Sequence, residues 1–195
     1  MLISCVVMSI LSGGLVTLWG YYTPFMIIGT VLTAIGFGLI TTFQPDTSSA
    51  VWIGYQILAG GGIGFGMQQP LIAVQTVLDI ADVPTGTAIV IFMQTLGGAL
   101  FVSVGQNIFT NKLVENIAEY VGPAFGDPKT VLFLGATSVQ TTVPPELLPG
   151  VTRAYNDALM QTFYVFAALA AASIFGALWT EWRSVKGKKV EMVPA

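Results

Sequence analysis

Long stretches without a charged side chain constrain this chain more than any other feature. Four blocks contain no Asp, Glu, Lys or Arg, namely residues 1–45, 47–78, 83–111 and 158–180. A helix needs about 20 mostly apolar residues to cross a bilayer, so each block can hold at least one span. Since only 9% of the residues are charged, against about 25% in soluble domains, we exclude a water-soluble fold.

The uncharged blocks predict an all-α, polytopic membrane bundle with five spans. The first block is too long for one span and is interrupted by Gly20-Tyr21-Tyr22-Thr23-Pro24, so we divide it into two helices. A polar turn at 44–49 and an acidic turn at 79–84 separate the next helices. We therefore expect spans at about 2–18, 24–42, 51–78, 85–109 and 159–180, an outer loop at 110–157 and a tail at 181–195.

The lack of His and the single cysteine exclude several classes of catalytic and metal-binding protein. The chain has no His, and Cys5 is its only cysteine, which excludes an intrachain disulfide, a Cys/His zinc site and catalysis by imidazole. The formal net charge of −3 offers no basic surface for nucleic acid. We therefore expect no catalytic residue, no metal site and no cofactor, and we do not expect an enzyme.

Basic residues indicate how the spans are oriented. Four of the seven Lys and Arg residues follow the last span, and these are Arg183, Lys186, Lys188 and Lys189. Because cytoplasmic ends carry the excess of Lys and Arg, we expect the tail in the cytoplasm. Five crossings then place the 110–157 loop outside and the turns at 19–23 and 79–84 inside.

Three spans carry rows of small or weakly polar residues at helical spacing. Such rows let helices approach closely, because small residues favour helix association in lipid, and we interpret them as packing faces. The rows are Cys5, Ser9 and Ser12 in the first span, Gly29, Thr33 and Gly36 in the second, and Ala168, Ala172 and Gly176 in the fifth.

The third span is rich in glycine. Five glycines lie within seven residues before Pro70, and an adjacent pair lies in the middle of the fourth span; the set is Gly60, Gly61, Gly62, Gly64, Gly66, Gly97 and Gly98. Glycine permits close backbone approach or local bending in a membrane bundle, and proline adds a kink. We expect these residues to serve helix flexing and packing, which a transporter that alternates between two openings would need.

Three amide side chains lie at membrane depth, where each needs a hydrogen-bond partner. Gln68 and Gln75 project on one side of the third span, and Gln94 lies in the fourth. Two interpretations stay open: these amides join helices, or they line a polar substrate cavity with Tyr55 and Phe101 as apolar contacts. We expect no ionisable side chain at mid-membrane depth, so the chain itself offers no group for proton coupling.

Several segments together resemble one family of membrane transporters. The pieces include Gly13-Gly14-Leu15 with Gly20-Tyr21-Tyr22-Thr23-Pro24, then Trp52-Ile53-Gly54-Tyr55-Gln56, Gln94-Thr95-Leu96-Gly97-Gly98 and Glu181-Trp182-Arg183-Ser184. As a set they resemble the fungal fourteen-helix drug:proton antiporters of the major facilitator superfamily, which include mycotoxin and multidrug efflux pumps. The resemblance implies that the five spans correspond to the last five helices of that family.

The chain departs from the superfamily's cytoplasmic motif, which has the form Gly-x-Leu-x-Asp-Arg-x-Gly-Arg-Arg. Gly13, Leu15 and Gly20 match the motif, and we expect them to act only as turn-forming and packing positions. The charged positions of the motif are occupied by uncharged residues, namely Thr17, Leu18, Tyr21 and Tyr22. The charge relay that the motif would supply is therefore missing from this turn.

The leading hypothesis is the C-terminal part of an efflux transporter that lacks the first nine helices. By resemblance, the intact pump exports small organic compounds in exchange for protons at the plasma membrane. The partners of this chain are then the lipid bilayer, the substrate, protons and the missing N-terminal helices, and the 195-residue piece alone is expected to be inactive. The alternative is a stand-alone five-span membrane protein with a structural or regulatory partner role. A membrane enzyme is not supported, since His and buried carboxylates are lacking.

Overall fold

The computed structural model describes residues 1–186, except for the side chains at positions 134, 136, 137 and 140. The tail positions Lys188 and Lys189 lie outside the described residues. Seven α-helices occur in the described part: α1 (Leu2–Trp19), α2 (Thr23–Ile40), α3 (Ser49–Gly66), α4 (Gln69–Val77), α5 (Val83–Tyr120), α6 (Val131–Thr142) and α7 (Leu148–Leu178). Short 3-10 turns at Gly122–Phe125 and Pro128–Thr130 precede α6.

The all-α fold class is confirmed, and five helical stretches are long and apolar enough to cross a membrane. These stretches are α1, α2, α3 together with α4, α5, and α7. The helix expected over 51–78 is divided, because α3 ends at Gly66 and α4 begins at Gln69. Pro70 supplies the physical reason, since its ring nitrogen cannot donate a hydrogen bond to the preceding turn.

The spanning helices pack side by side in an order that differs from their order in the chain. α1 packs on α3, α3 on α2, α2 on α7, and α7 on α5, while α4 touches α5. α3 therefore lies between α1 and α2. The outer faces of α1 and α5 are left uncovered, since only 11% and 6% of their most apolar stretches are buried.

Glycine allows α1 and α2 to approach α3 on two sides. A methyl group added at Gly60 or Gly64 would collide with backbone atoms at the start of α1, and one added at Gly62 would collide with the backbone of Thr33 in α2. Such a close approach of three backbones strengthens their packing, because lipid offers helices no hydrophobic drive to associate. The small-residue rows of α1 and α2 accordingly face α3.

Other small residues of the spans lie on open faces. Gly97 and Gly98 in α5 have no atom within 4 Å of the position that a methyl group would take, and the same holds for Gly176 in α7. Ala168 and Ala172, in the same row as Gly176, are exposed. In the described chain, the row expected to pack α7 against a neighbour therefore faces outward.

The two ends of the bundle differ in what lies there. At one end, which we call the tail side, Gly20 joins α1 to α2 and the segment after α7 returns to that turn. At the other end, the loop side, α5 continues to Tyr120 and α7 begins as early as Leu148. These extensions pack around an apolar cluster that contains Leu113 and Ile117, which are 1% and 0% exposed. Much of the 110–157 loop is thus helical.

Candidate functional site at a helix break

The break between α3 and α4 interrupts the hydrogen bonding of the helix inside a span, while Met67 and Gln68 keep right-handed helical dihedral angles. Met67 closes α3 by donating from its backbone N–H to the Ile63 carbonyl at 2.9 Å. Pro70 has no N–H, so the Gly66 carbonyl lacks the donor that a continuous helix would place four residues later. A carbonyl released at membrane depth needs protein, water or a ligand nearby. The break therefore combines a flexible glycine run with a released acceptor.

A buried polar cluster joins the break to α1. The Gln69 amide nitrogen donates to the Ser12 hydroxyl at 2.6 Å and to the Phe65 carbonyl at 3.0 Å. Ser12 itself donates to the Phe65 carbonyl at 3.2 Å. Both polar side chains are 1% exposed, so these hydrogen bonds are formed away from solvent. They hold the last turn of α3 and the first turn of α4 against α1.

The amide oxygen of Gln69 is a buried acceptor without a hydrogen-bond partner among the described residues. A buried polar atom left in this state costs about 1–3 kcal/mol. Sequence reasoning chose the neighbouring Gln68 and missed Gln69, although the pair of adjacent amides directly before Pro70 was a usable signal. Gln69 is the amide that the fold buries, and its oxygen could accept a further hydrogen bond.

Two of the three predicted amides meet at the break. Gln68 donates to the Ser9 hydroxyl of α1 at 2.9 Å, and Gln94 of α5 reaches the Met67 carbonyl at 3.4 Å. Both glutamines are exposed rather than buried. The longer contact lies outside the usual range for N–H···O hydrogen bonds, so Gln94 can exchange this partner at little cost. Gln94 therefore reaches the backbone of the break from α5, and Gln68 joins the break to α1.

The remaining predicted site residues lie elsewhere. Gln75 lies toward the tail side, in a recess of about 190 Å³ that it shares with Ile72 and Val185. Tyr55 stacks on the Phe43 ring near the loop side, with ring centroids 5.7 Å apart. Phe101 lies further along α5 and is 37% exposed. The five predicted residues do not line a single enclosed cavity in the described chain.

An apolar cleft of about 420 Å³ lies beside the break, between α2, α3 and α7. Three residues from the predicted flexing set line it, namely Gly62, Gly66 and Pro70. Thr30 and Thr33 also line the cleft, but their hydroxyls donate to carbonyls of their own helix at 2.9 and 2.7 Å. The cleft therefore presents an apolar surface that would accept an apolar group.

A second, polar pocket of about 550 Å³ lies at the loop side, between the end of α2 and the first turns of α7. Asn156 donates from its side chain to the Phe43 carbonyl at 2.9 Å and so holds the two walls together. Asp157 accepts from the Tyr120 hydroxyl at 3.0 Å and lies 3.9 Å from the Arg153 guanidinium. Its charged groups already have partners, so the pocket is a polar vestibule rather than a reactive site.

The face of α5 that points away from the bundle is polar along part of its length. A recess of about 490 Å³ on this face is lined by Ser103, Gln106, Asn107, Thr110 and Asn111 among others. Asn111 donates to Asn107 at 2.8 Å, within the same helix. Amide side chains exposed to hydrocarbon would be costly, so this face suits a protein or aqueous neighbour better than lipid.

The turn between α1 and α2 contains the remnant of the cytoplasmic motif. Gly20 has φ +84°, a left-handed conformation that ends α1, and its N–H donates to the Val16 carbonyl at 2.7 Å. Leu15 packs against an apolar cluster at this turn. The Gly13 carbonyl accepts from Thr17, and no atom lies within 4 Å of the place where a Gly13 methyl group would point. Of the three residues, only Gly20 is required by backbone geometry.

Metal-ligating side chains do not cluster in the part of the chain that the structure describes. The amides and the apolar cleft at the break suit non-covalent binding of an amphipathic small molecule.

Known fungal proteins are similar to this chain over nearly its whole length. It is 54% identical over 195 residues to the MFS-type efflux pump MFS1 of Arthroderma benhamiae and 52% identical over 190 residues to the MFS-type transporter astH of Aspergillus oryzae. It is 49% identical over 196 residues to the aspyridones efflux protein of Neocamarosporium betae. The chain spans about a third of these relatives, at 36%, 33% and 34% of their lengths. No family model and no solved structure matches it.

Proposed function

The chain belongs to the major facilitator superfamily, as do the fungal efflux pumps that match it, and we propose that it is the C-terminal part of a transporter that exports small organic compounds. It is an integral, multi-pass membrane protein. Its relatives are named as transporters rather than as enzymes. The proposed substrates are drugs, toxins or secondary metabolites, in keeping with the efflux names that the relatives carry.

The helix break between α3 and α4 is the observation that carries this proposal. Transporters of several folds place interrupted helices and released backbone groups near the bilayer midplane, where substrate binds. Here the break is contacted by two amides and also lines an apolar cleft. A bend at the break would move both surfaces together, which couples a change of binding surface to a change of helix direction.

Within this site, we assign Gln68 and Gln94 to substrate contact. Each comes from a different helix, each is exposed, and the 3.4 Å contact of Gln94 is weak enough to be exchanged for a substrate group. Gln75, Tyr55 and Phe101 are proposed to line the substrate's path toward the two ends of the bundle. The amides supply hydrogen bonds at membrane depth, and the aromatic rings supply apolar contact.

The coupling ion is proposed to be the proton, and the proton-binding group is proposed to lie in the nine helices that precede this chain in the intact pump. Those helices would cover the exposed faces of α1 and α5, including the polar recess on α5. We propose the plasma membrane as the location, with residues 181–195 in the cytoplasm and the 110–157 loop outside. The five spans are proposed as one partial transmembrane domain over residues 1–195.

Export measured in cells tests this proposal. Cells that express the full-length pump should retain less of an apolar fluorescent compound than cells with an empty vector. Residues 1–195 alone, at matched expression, should not lower the retained amount. If the full-length protein at normal expression leaves retention unchanged for every compound in a panel of apolar toxins, the export function is wrong.

The uncovered faces of α1 and α5 favour one alternative, a stand-alone five-span protein that binds another membrane protein. An antibody against residues 184–195, used on native membranes, separates the two possibilities. A band near 20.6 kDa supports the stand-alone protein. A band of roughly 60 kDa, the size that fourteen spans and their connections require, supports the pump.

A further inference from the structure

The segment that follows α7 binds the turn between α1 and α2. We call residues 181–186 the tail segment. The Val185 backbone N–H donates to the Gly20 carbonyl at 2.7 Å, and Ser184 pairs with Tyr21 in an antiparallel β-bridge. These contacts join positions that are more than 160 residues apart in the chain. The end of α7 is thereby held at the start of α2.

Two hydroxyl groups of the turn donate hydrogen bonds to one carbonyl of the tail segment. Tyr22 donates to the Glu181 carbonyl at 2.6 Å, and Thr23 donates to the same oxygen at 3.3 Å. Both side chains are 0% exposed. Burial raises the pKa of the Tyr22 phenol, so the hydroxyl keeps its proton and remains a donor. The turn thus forms a buried receptor for the tail segment, and Tyr22 is also packed with the core residues Val16 and Phe25.

Lys186 closes the other end of the contact. Its ammonium group donates to the Leu18 carbonyl in the last turn of α1, where a positive charge interacts favourably with the helix dipole. Its methylene groups lie against Gly20, so that a methyl group added at Gly20 would lie 2.9 Å from them. The left-handed glycine of the turn therefore also makes room for the tail segment.

The tail segment is held by hydrogen bonds and by little side-chain burial. Of residues 181–186, only Val185 is partly buried, and the other side chains are exposed. Val185 packs against the buried cluster of Val16, Tyr22 and Phe25, and it lines a recess together with Ile72 of α4. Elements held by few buried apolar contacts open at a small free-energy cost. A deeply buried receptor with a lightly held occupant is the arrangement expected of a contact that opens and closes.

We propose that residues 181–186 form a releasable clamp on the tail side of the bundle. When docked, the clamp ties the end of α7 to the α1–α2 turn and, through Val185, to α4. When released, it frees α4 to move about the break that precedes Gln69. The α1–α2 turn lacks the charges of the superfamily motif. Its backbone and hydroxyl groups bind the tail segment.

Cysteine labelling tests the clamp in the full chain, in permeabilised membranes, on a Cys5→Ala background. Thr23→Cys places a thiol under the docked clamp, where a small maleimide should react slowly but measurably. Adding Val185→Asp should raise this rate about tenfold, since the apolar contact is lost and opening becomes frequent. Tyr21→Cys, whose parent side chain is exposed at 45%, should change less than about twofold under the same substitution.

Arg183→Ala is the matched control variant, because the Arg183 side chain contacts Glu181 within the same segment at 2.9 Å. It should leave both labelling rates unchanged. Lys186→Ala serves as a second disrupting variant if Val185→Asp lowers the amount of protein in the membrane, and it should also raise the Thr23→Cys rate.

Two outcomes would overturn the clamp. If neither Val185→Asp nor Lys186→Ala changes the Thr23→Cys rate, the tail segment does not cover the turn. If Thr23→Cys without further changes reacts as slowly as Ile117→Cys, which lies in the loop-side core at 0% exposure, the contact is permanent rather than releasable. Labelling does not depend on transport, so the clamp and the proposed export function fail or succeed separately.

Discussion

The Gln69 side-chain amide lies 2.6 Å from the Ser12 hydroxyl and fastens α4 to α1 inside the bundle. One residue earlier, Gln68 makes a similar contact with Ser9 at the surface of the same helix pair. α1 is therefore hydrogen-bonded to both amides that precede Pro70. The Gln69 oxygen has no hydrogen-bond partner among the described residues, so the side chain's hydrogen bonding is incomplete.

Removal of the Ser12 hydroxyl should weaken the bundle measurably. Ser12→Ala deletes an acceptor for Gln69 and a donor to Phe65, so we expect a loss of about 1 kcal/mol in the free energy of unfolding. Ser173→Ala is the matched control, because its exposed hydroxyl bonds only to the Ala170 carbonyl of its own helix. Unfolding by SDS from mixed micelles measures both. Equal losses for the two variants would contradict a special role for the Ser12 cluster.

The glycine run should not tolerate a side chain where α2 packs against it. Gly62→Ala would place a methyl group against the Thr33 backbone, and such overpacking costs about 1–3 kcal/mol. Gly54→Ala lies in the same helix but has no atom within 4 Å, so it should be neutral or stabilise α3 by about 0.5–1 kcal/mol. The same unfolding assay compares them. A Gly62→Ala variant as stable as Gly54→Ala would mean that α2 and α3 do not pack as described.

The pattern of charges was sufficient for the fold class, but the spacing of polar residues was not sufficient for the site. Five apolar helices occur where uncharged blocks predicted them. Helical spacing correctly placed Ser9 and Ser12 on a packing face of α1, because packing rows repeat within one helix. It did not identify Gln69 as the buried amide, since burial depends on which helix packs against α1. The glycines of α3 allow that close packing, and the spacing of residues within one helix does not predict which helix packs there.

The tail contact could not be predicted from sequence for a related reason. Tyr22 and Glu181 are 159 positions apart in the chain, and no motif at either position predicts contact with the other. Sequence comparison with the superfamily motif identified the uncharged turn, but it suggested only a missing charge relay. The hydroxyl and backbone groups that bind the tail segment at this turn come together only in the tertiary structure, in which α7 packs on α2.

The hydrogen bond from Tyr22 gives the tail side a defined dependence on pH. The pKa of Tyr22 is raised above its ordinary value, chiefly by burial. For an acid with a raised pKa in the folded state, the stabilisation is fully present below the unfolded pKa of about 10 and is lost as pH rises through the folded value. The stability difference between the unchanged chain and Tyr22→Phe should therefore be constant, at about 1 kcal/mol, from pH 6 to 9.

Above pH 10 this difference should shrink. Tyr21→Phe is the control, because Tyr21 is 45% exposed and its loss of a hydroxyl should leave stability unchanged. SDS unfolding at a series of pH values measures both variants. A difference that changes between pH 6 and 9 would show that another group, and not the Tyr22 phenol, governs the contact.

Gln94 should matter for transport more than for stability. Its 3.4 Å contact with the Met67 carbonyl is weak, so Gln94→Leu in the full-length pump should change the free energy of unfolding by less than about 0.5 kcal/mol. We expect it to alter export or substrate preference at equal expression. Thr95→Val is the neighbouring control, since that hydroxyl bonds to the Ile91 carbonyl of its own helix. Unchanged export by Gln94→Leu across a panel of compounds would remove Gln94 from the proposed site.

The break itself can be closed by one substitution, and this is the most direct test of its role. Pro70→Ala restores an N–H that can donate to the Gly66 carbonyl, so α3 and α4 should join into one helix and unfolding should become harder by about 1 kcal/mol. Pro24→Ala is the matched control, because Pro24 is in the first turn of α2, where a backbone N–H has no partner within the helix. Amide hydrogen exchange at residues 66–69 should slow in Pro70→Ala only. If the break serves alternating access, export by the full-length Pro70→Ala variant should fall although the protein is more stable. Full export together with slowed exchange would mean that the bend is a passive feature of packing, and the substrate site would have to be sought elsewhere in the pump.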